Sequence, residues 1–310
     1  MNLETELELL KASNKELVML VKKMTHKLDA INATIISYYE KPKEFTEKSF
    51  TEIKVKKVVK SNEELKDLLL SEKWPTAASS ESICGDNELQ KRKRAKAIVD
   101  SVISQNIENK NLLDYGCGEG YTINYAKSKT KAIGYDIQKS GNLWDSLSNL
   151  TTDYATVQKN SPYDIILLYD VLDHAENPIE IMKNAESLLS EKGTIYVRCH
   201  PWFSRHGGHL YTTLNKAFIN VVFSDDELKT MNLVPPVVTI RKINEYNNIF
   251  TQAKLKTRIQ LPIRSPVEGF FKQGIIAERI SERLNGDELN IGVNFIDYQL
   301  EKSDQLPVNL

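Results

Sequence analysis

Cysteine is scarce in this chain. Only Cys84, Cys117 and Cys199 occur in 310 residues. An odd number with wide gaps excludes a disulfide framework and offers no Cys-x-x-Cys pair for a structural zinc. The pattern fits a reducing, cytoplasmic setting. An excess of charge of one sign is missing too. Lys and Arg number 41 against 42 Asp and Glu, a formal net charge of −1. No global basic bias advertises nucleic acid or an acidic membrane surface. No apolar run approaches the roughly 20 residues of a membrane span. The first residues, "MNLETELELL", carry acids where a signal peptide carries bases. There is no internal repeat and no low-complexity tract. What remains is 41% hydrophobic and 27% charged, an ordinary globular balance. The length suits one large domain with accessories, or two domains.

The opening segment carries a heptad pattern. With Leu7, Asn14, Val21, Leu28 and Ile35 at one core position, Leu3, Leu10, Leu17, Met24, Ile31 and Tyr38 fall at the other. The spacing predicts a coiled coil about 55 Å long. A single Asn at a core position fixes register in parallel dimers, and Glu6 can reach Lys11 of a partner chain. Residues 3–38 are therefore expected to form a homo-oligomer, with a dimer favoured. Val18 and Leu20 widen the stripe, so a trimer, or packing onto the chain's own body, stays open. Pro42 ends the helix. Residues 41–86 read as connector and lid: "TEIKVKKVV" alternates like a short strand, and Ser61 with Glu64 forms a capping box for the helix that follows.

From Asn87 onward strands and helices alternate, which implies a mostly parallel sheet covered on both faces. The expected helices are "NELQKRKRAKAIVDSVISQ", "GYTINYAKSK", "PIEIMKNAESLL" and "PVEGFFKQGIIAERISERL". The expected strands are "NLLDYG", "KAIGYD", "YDIILLYDVL", "GTIYVRCHP", "LKTRIQLPI" and "IGVNFIDYQLEK". The "FSDDELKTMNLVPPVVTIRKINEYNN" stretch reads as a helix and an irregular cover. The basic run Lys91 to Arg94 reads as the solvated face of its helix, with a phosphate or nucleic-acid patch as the competing reading.

"NLLDYGCGEGYTINYA", Asn111 to Ala126, runs from strand through clustered glycines into helix. The dinucleotide fingerprint is GxGxxG around a pyrophosphate. Here the spacing is GxGxG, and Glu119 inside the loop is awkward beside a phosphate but tolerable beside a cation. Asp136 ends the next strand, where a carboxylate grips ribose hydroxyls. A nucleoside with a positively charged tail satisfies these features, and S-adenosylmethionine is such a molecule.

The run "LLDYGCGEGY … AIGYDI … YDIILLYDVLDHAENP … GTIYVRCH" resembles the class I S-adenosylmethionine-dependent methyltransferases, in the small-molecule, ubiquinone-biosynthesis-type branch. The resemblance spans roughly residues 90 to 300. It implies a Rossmann-like α/β fold with a seven-stranded, mostly parallel sheet and helices on both faces over residues 87–310, preceded by the coiled-coil helix of residues 1–40. It implies that the loop of Asp114, Gly116, Cys117, Gly118 and Gly120 meets the methionine portion of the cofactor. It puts Asp136 on the ribose, Ile137 beside the adenine, and Asp153 with Tyr154 at the adenine amino group.

The acceptor side is expected after the fourth and fifth strands. "YDVLDHAENP" supplies Asp170, facing the methyl group, and His174, as base, pocket wall or helix cap. The Asp/Asn-Pro-Pro-aromatic motif of DNA amino-methyltransferases is absent, and no Pro-Cys pair supports cytosine C5 chemistry. "RCHPWFSRHGGHL" supplies His200 as a further candidate base, with His206 and His209 nearby. Trp202 would wall a flat substrate, and Arg198 or Arg205 would hold a carboxylate or phosphate. A metal is not expected, because the spacing of His200, His206 and His209 comes with no fixed carboxylate partner. Two other readings remain open: a structural or assembly protein, in a complex or a virion, that retains the fold, and a nucleic-acid methyltransferase using the basic helix.

Overall fold

A computed structural model describes residues 62–78, 87–103, 110–206, 208–233, 242–285 and 290–303. The heptad segment, the strand expected at "TEIKVKKVV" and the Ser61 cap lie outside the described residues.

Apolar alternation in the central strands decides the layers. Along strand β4 (Tyr163–Tyr169), Ile165 and Leu167 join one buried cluster, while Ile166 and Leu168 join another. Leu112 and Leu113 of β1 (Asn111–Tyr115) divide in the same way. Successive side chains point to opposite faces, so a continuous apolar strand must be covered on both. One face is covered by Ile98, Val99 and Val102 of the helix Glu88–Ile103, by Ile123 and Ala126 of the helix Tyr121–Ala126, and by Trp144. The other carries Met182, Ala185 and Leu188 of the helix Pro178–Leu188, with Tyr246, Ile249 and Phe250 of the helix Ile243–Gln252.

The sheet has seven strands in the order β3-β2-β1-β4-β5-β7-β6. The others are β2 (Lys131–Tyr135), β3 (Leu150–Thr151), β5 (Leu189–Cys199), β6 (Leu255–Arg264) and β7 (Val293–Lys302). β1 to β5 run parallel, and β7 is antiparallel to both neighbours. All five parallel strands therefore end on one edge of the sheet. This is the expected Rossmann-like architecture.

Four segments differ from the sequence reading. β4 stops at Tyr169, because Asp170 adopts a left-handed φ of 58° and turns the chain into a short 3-10 turn, Leu172–His174. β3, absent from the expected strands, is only two residues long and leads through Asp153, the N-cap, into the helix Tyr154–Lys159. The helix expected from Pro266 is interrupted. Gln273 is extended (φ −131°, ψ 150°), Gly274 takes φ 58°, and the helix begins only there. The cover after residue 241 is partly helical: Glu245 accepts from the Lys242 amide at 2.5 Å, and Tyr246, Ile249 and Phe250 form its buried face.

The described part of the segment read as connector and lid, residues 62–78, is anchored in the core. Leu65, Leu69 and Trp74 are buried there. Trp74 packs within 6.0 Å of Phe223, Phe270 and Phe271, and its indole N–H donates to the Ala217 carbonyl at 2.9 Å. Removing a buried indole leaves a large cavity and an unpaired carbonyl. Trp74→Ala is expected to lower stability by about 3–5 kcal/mol, read from urea unfolding of the full chain.

Candidate functional site

The loop after β1 is shaped by glycine. Gly116, Gly118 and Gly120 sit at φ 86°, 51° and 85°, a region that side chains with a Cβ rarely adopt. Their surroundings differ. A Cβ on Gly120 would stand 2.6 Å from Leu150, and one on Gly116 would strike Val171, whereas one on Gly118 would meet nothing within 4 Å. Two of these glycines permit close packing, and the middle one faces open space. The start of the loop is pinned: the Gly116 and Cys117 amides donate to the Tyr135 carbonyl at 2.8 and 3.0 Å. Trp144 Nε1 donates to the Gly118 carbonyl at 2.8 Å.

Acids stand before, within and after this loop in the sequence. The Gly118 amide donates to Asp136 Oδ2 at 2.8 Å. Asp114 is 5% exposed. Burial, reinforced by the nearby Asp136 charge and opposed by Thr122 and Arg94, pushes its carboxyl up to about 7. Burial also pushes the Cys117 thiol up, with the Asp114 and Asp136 charges adding to it, so Cys117 is no nucleophile. Ile137 is 84% exposed beside Asp136. Asp153 follows β3 as expected, but its carboxylate caps the next helix. It accepts from the Ala155 and Thr156 amides at 3.0 and 3.2 Å and from the Thr156 hydroxyl at 2.7 Å. The Tyr154 ring lies 5.6 Å from Tyr135 and 6.5 Å from Tyr115, an aromatic group at the ends of the first strands.

The ends of β4 and β5 carry a second cluster. Arg94 pairs with Asp170 Oδ2, and His200 Nε2 stands 3.1 Å from Asp170 Oδ1. Burial of Asp170 favours its neutral form, but the adjoining His200 and the Arg94 and Arg198 charges outweigh this and hold it at about 2. For His200, burial opposes protonation, and the adjoining Asp170, helped by Asp173 and the Asn294 carbonyl, raises its pKa above the ordinary value. His200 Nδ1 donates to the Asn294 carbonyl at 2.9 Å. Both ring nitrogens thus face protein acceptors. In this state the residue ties β5 to Asp170 and β7, and is not an idle base.

The expected substrate residues are mostly engaged elsewhere. Arg198 makes paired 2.7 Å contacts with Asp297, its register partner on β7, and lies 4.2 Å over the Phe295 ring. Arg205 donates to the Thr76 and Ala77 carbonyls and pairs with Glu268 at 2.5 Å. Trp202 is 7% exposed beneath the Arg283 guanidinium. His206 lies against Tyr211, and burial lowers its pKa. His174 does not cap the next helix; Asn177 does, accepting from the Glu180 amide at 3.2 Å. His174 and His209 instead bring their rings within 4.5 Å of each other, beside the fully buried Asp173.

The basic run corrects the sequence reading. Lys91 pairs with Glu119 of the glycine loop at 2.5 Å, and Arg94 pairs with Asp170. Their separation of three puts both on one face of the helix, which was the available signal. Thr122, Trp144, Asn294 and Asp297 carried no such signal, because their roles depend on pairings remote in sequence.

Residues 88–232 match the family described as a methyltransferase domain. A ubiquinone biosynthesis O-methyltransferase of Hydrogenovibrio crunogenus is 26% identical over 147 residues. That match takes in 42% of this chain and 54% of the relative, so it spans about half of that protein's length. Similar solved structures include an S-adenosylmethionine-dependent methyltransferase of Clostridium acetobutylicum, with TM-score 0.44, 14% identity, 72% of this chain and 95% of that one. Another is the magnesium protoporphyrin IX methyltransferase of Synechocystis with bound S-adenosylhomocysteine, with TM-score 0.42, 16% identity, 72% of this chain and 92% of that one.

The raised Asp114 gives a pH dependence with a defined sign. A carboxyl raised from 3.8 to about 7 favours the folded state below the unfolded pKa, and that contribution is lost as pH rises from about 4 to about 7. Asp114→Asn is expected to stabilise the ligand-free chain at pH 8 by about 2–4 kcal/mol and to leave pH 4 nearly unchanged. Urea midpoints at the two pH values check this.

Proposed function

We propose that the chain is an S-adenosylmethionine-dependent methyltransferase that methylates an oxygen or nitrogen of an acceptor. The acceptor is a small molecule, sugar, nucleotide or protein side chain. The observation that carries this reading is the Gly118 cradle. A left-handed glycine with open space over it donates its amide to Asp136, and the same loop carries the Lys91-paired Glu119 and follows the buried Asp114. A carboxylate seated on the cradle's amide disfavours a pyrophosphate and suits a cation. The family match over residues 88–232 supports the same reading.

The cofactor would supply an activated methyl group on a sulfonium. The chain's own residues would bind and orient. Asp136 would release part of its contact with Gly118 to accept from ribose hydroxyls, Ile137 would cover the adenine, and the amides at Gly116 to Gly120 would line the methionine portion. Asp114 would gain a positive neighbour, which favours its carboxylate form. Asp170, ordered by Arg94 and His200, would face the methyl group from the end of β4. Acceptor and donor would then be held in line, and proximity supplies most of the rate. The pairing of Lys91 and Arg94 with acids favours a small acceptor over nucleic acid.

The reading includes a cytoplasmic chain, oligomerised through residues 3–38. Calorimetric titration with S-adenosylmethionine and S-adenosylhomocysteine is expected to show micromolar binding, weakened at least about tenfold in Asp136→Ala, an effect of about 1.4 kcal/mol. No binding by a well-folded sample would overturn the enzyme reading in favour of an assembly protein. Removing residues 1–38 is expected to give a monomer by light scattering with cofactor affinity retained; a truncated protein that stays oligomeric would place the interface elsewhere.

A further inference from the structure

Asp173 is the most poorly answered charge among the described residues. It is 0% exposed, and neither carboxylate oxygen has a hydrogen-bond partner. A buried carboxylate left this way is strongly disfavoured unless a cation meets it. Two imidazoles face it. His209 Nε2 lies 3.5 Å and His174 Nε2 3.8 Å from the same oxygen, Oδ2. Neither distance has hydrogen-bond geometry, yet all three donor atoms fall within 4.8 Å of one another. Two ligand atoms each about 2.1 Å from a tetrahedral ion stand about 3.4 Å apart. The gaps to Asp173 are close to that edge. His209 is held there by its left-handed backbone, φ 49°, and by its amide, which donates to the His206 carbonyl at 2.8 Å.

We propose that Asp173, His174 and His209 bind one divalent transition-metal ion, with positions left open for water or a substrate oxygen. Two imidazoles with one carboxylate suit zinc, iron(II), manganese(II) or cobalt(II) better than magnesium or calcium, which prefer all-oxygen sites. Three protein ligands do not complete a structural site, so the arrangement is of the open, substrate-binding kind. His174 has 47% of its side chain exposed, so the ion is reached from solvent. The three ligands come from the turn after β4 and the loop after β5. Spacing within the histidine-rich loop could not reveal the set, because the carboxylate is supplied from the other strand end.

The role of the open position rests on the methyltransferase reading; ion binding itself does not. Under that reading, the ion would take an acceptor hydroxyl, lower its pKa and hold the oxygen as the nucleophile, its proton leaving to solvent on the exposed side. This assigns the acceptor class as a hydroxyl compound able to ligate a metal.

The test uses the full chain, stripped with chelator and titrated with Zn2+, Co2+ and, separately, Mg2+ by calorimetry and absorption. One zinc ion per chain is expected, weakened at least tenfold in His174→Ala and in His209→Gln and unchanged in His206→Gln. Cobalt is expected to give the visible bands of a four-coordinate nitrogen and oxygen site. His174 is exposed, so His174→Ala should fold, and circular dichroism checks this. Asp173→Asn is the second variant. No bound zinc, zinc binding unaffected by His174→Ala and His209→Gln, a thiolate charge-transfer band with cobalt, or equal preference for magnesium would each overturn the proposal. S-adenosylmethionine titration of His174→Ala separates the two readings. Cofactor binding by both the unaltered chain and the variant, with zinc lost only in the variant, supports both readings; zinc binding that depends on His174, with no cofactor binding even by the unaltered chain, leaves the metal site standing and removes the methyltransferase.

Discussion

A parallel sheet gathers the C-terminal ends of its strands along one edge, and this chain has placed a carboxylate at or beyond each of the first four. Asp114, Asp136, Asp153 and Asp170 stand in that row, with Glu119 in the first loop and Asp173 in the fourth. Like charges crowded at a partly dry edge destabilise one another, and each must find a cation, a set of amides, or a proton. The surroundings can be sorted by which answer each acid receives. Asp153 takes the amides of the helix it caps. Glu119 and Asp170 take Lys91 and Arg94 from the helix that precedes β1. Asp170 also takes His200. That helix is thus held over the edge by charge on one side and by Ile98, Val99 and Val102 on the other.

Two acids receive no adequate answer from the protein. Asp114 responds by favouring its proton, and Asp173 sits buried without a hydrogen bond. They lie in separate places, one under the glycine loop and one under the β4 and β5 loops. Both are positions where positive charge from outside the chain lowers the energy of the folded state. Under the two proposals, a sulfonium nucleoside would answer the first and a metal ion the second. Unmet charge at a sheet edge is a physical signal of function that needs no motif.

Much of the fold was legible because the signals were local. Leu112, Leu113 and Ile165 to Leu168 announce buried parallel strands, and Gly116, Gly118 and Gly120 announce a tight strand-to-helix turn. Asp136 could be placed because it ends a strand of the same sheet. Legibility failed where a residue's role depends on a distant partner. Arg198 looked available for substrate until Asp297, 99 residues later, stood opposite it. Arg205 looked available until the carbonyls of Thr76 and Ala77 took its donors. The break at Gln273 and Gly274 has a local signal, since glycine favours a helix terminus. The end of β4 has none, since nothing nearby requires Asp170 to be left-handed.

The state of His200 bears on how an acceptor could be activated. A general base needs a nitrogen free to meet the proton it removes. Here Nδ1 is fixed on the Asn294 carbonyl, Nε2 faces Asp170, and the pair favours imidazolium beside carboxylate. Such a pair orders the end of β4 and keeps Asp170 ionised, but it removes no proton until that contact opens. Cys117 and Cys199 are pushed the wrong way by burial to serve instead. In this state neither His200 nor the cysteines stand ready to take a proton from an acceptor hydroxyl. A Lewis acid at Asp173, His174 and His209 would meet that need without a free base, by stabilising the oxyanion directly. The tied histidine and the unanswered aspartate are complementary features of one site.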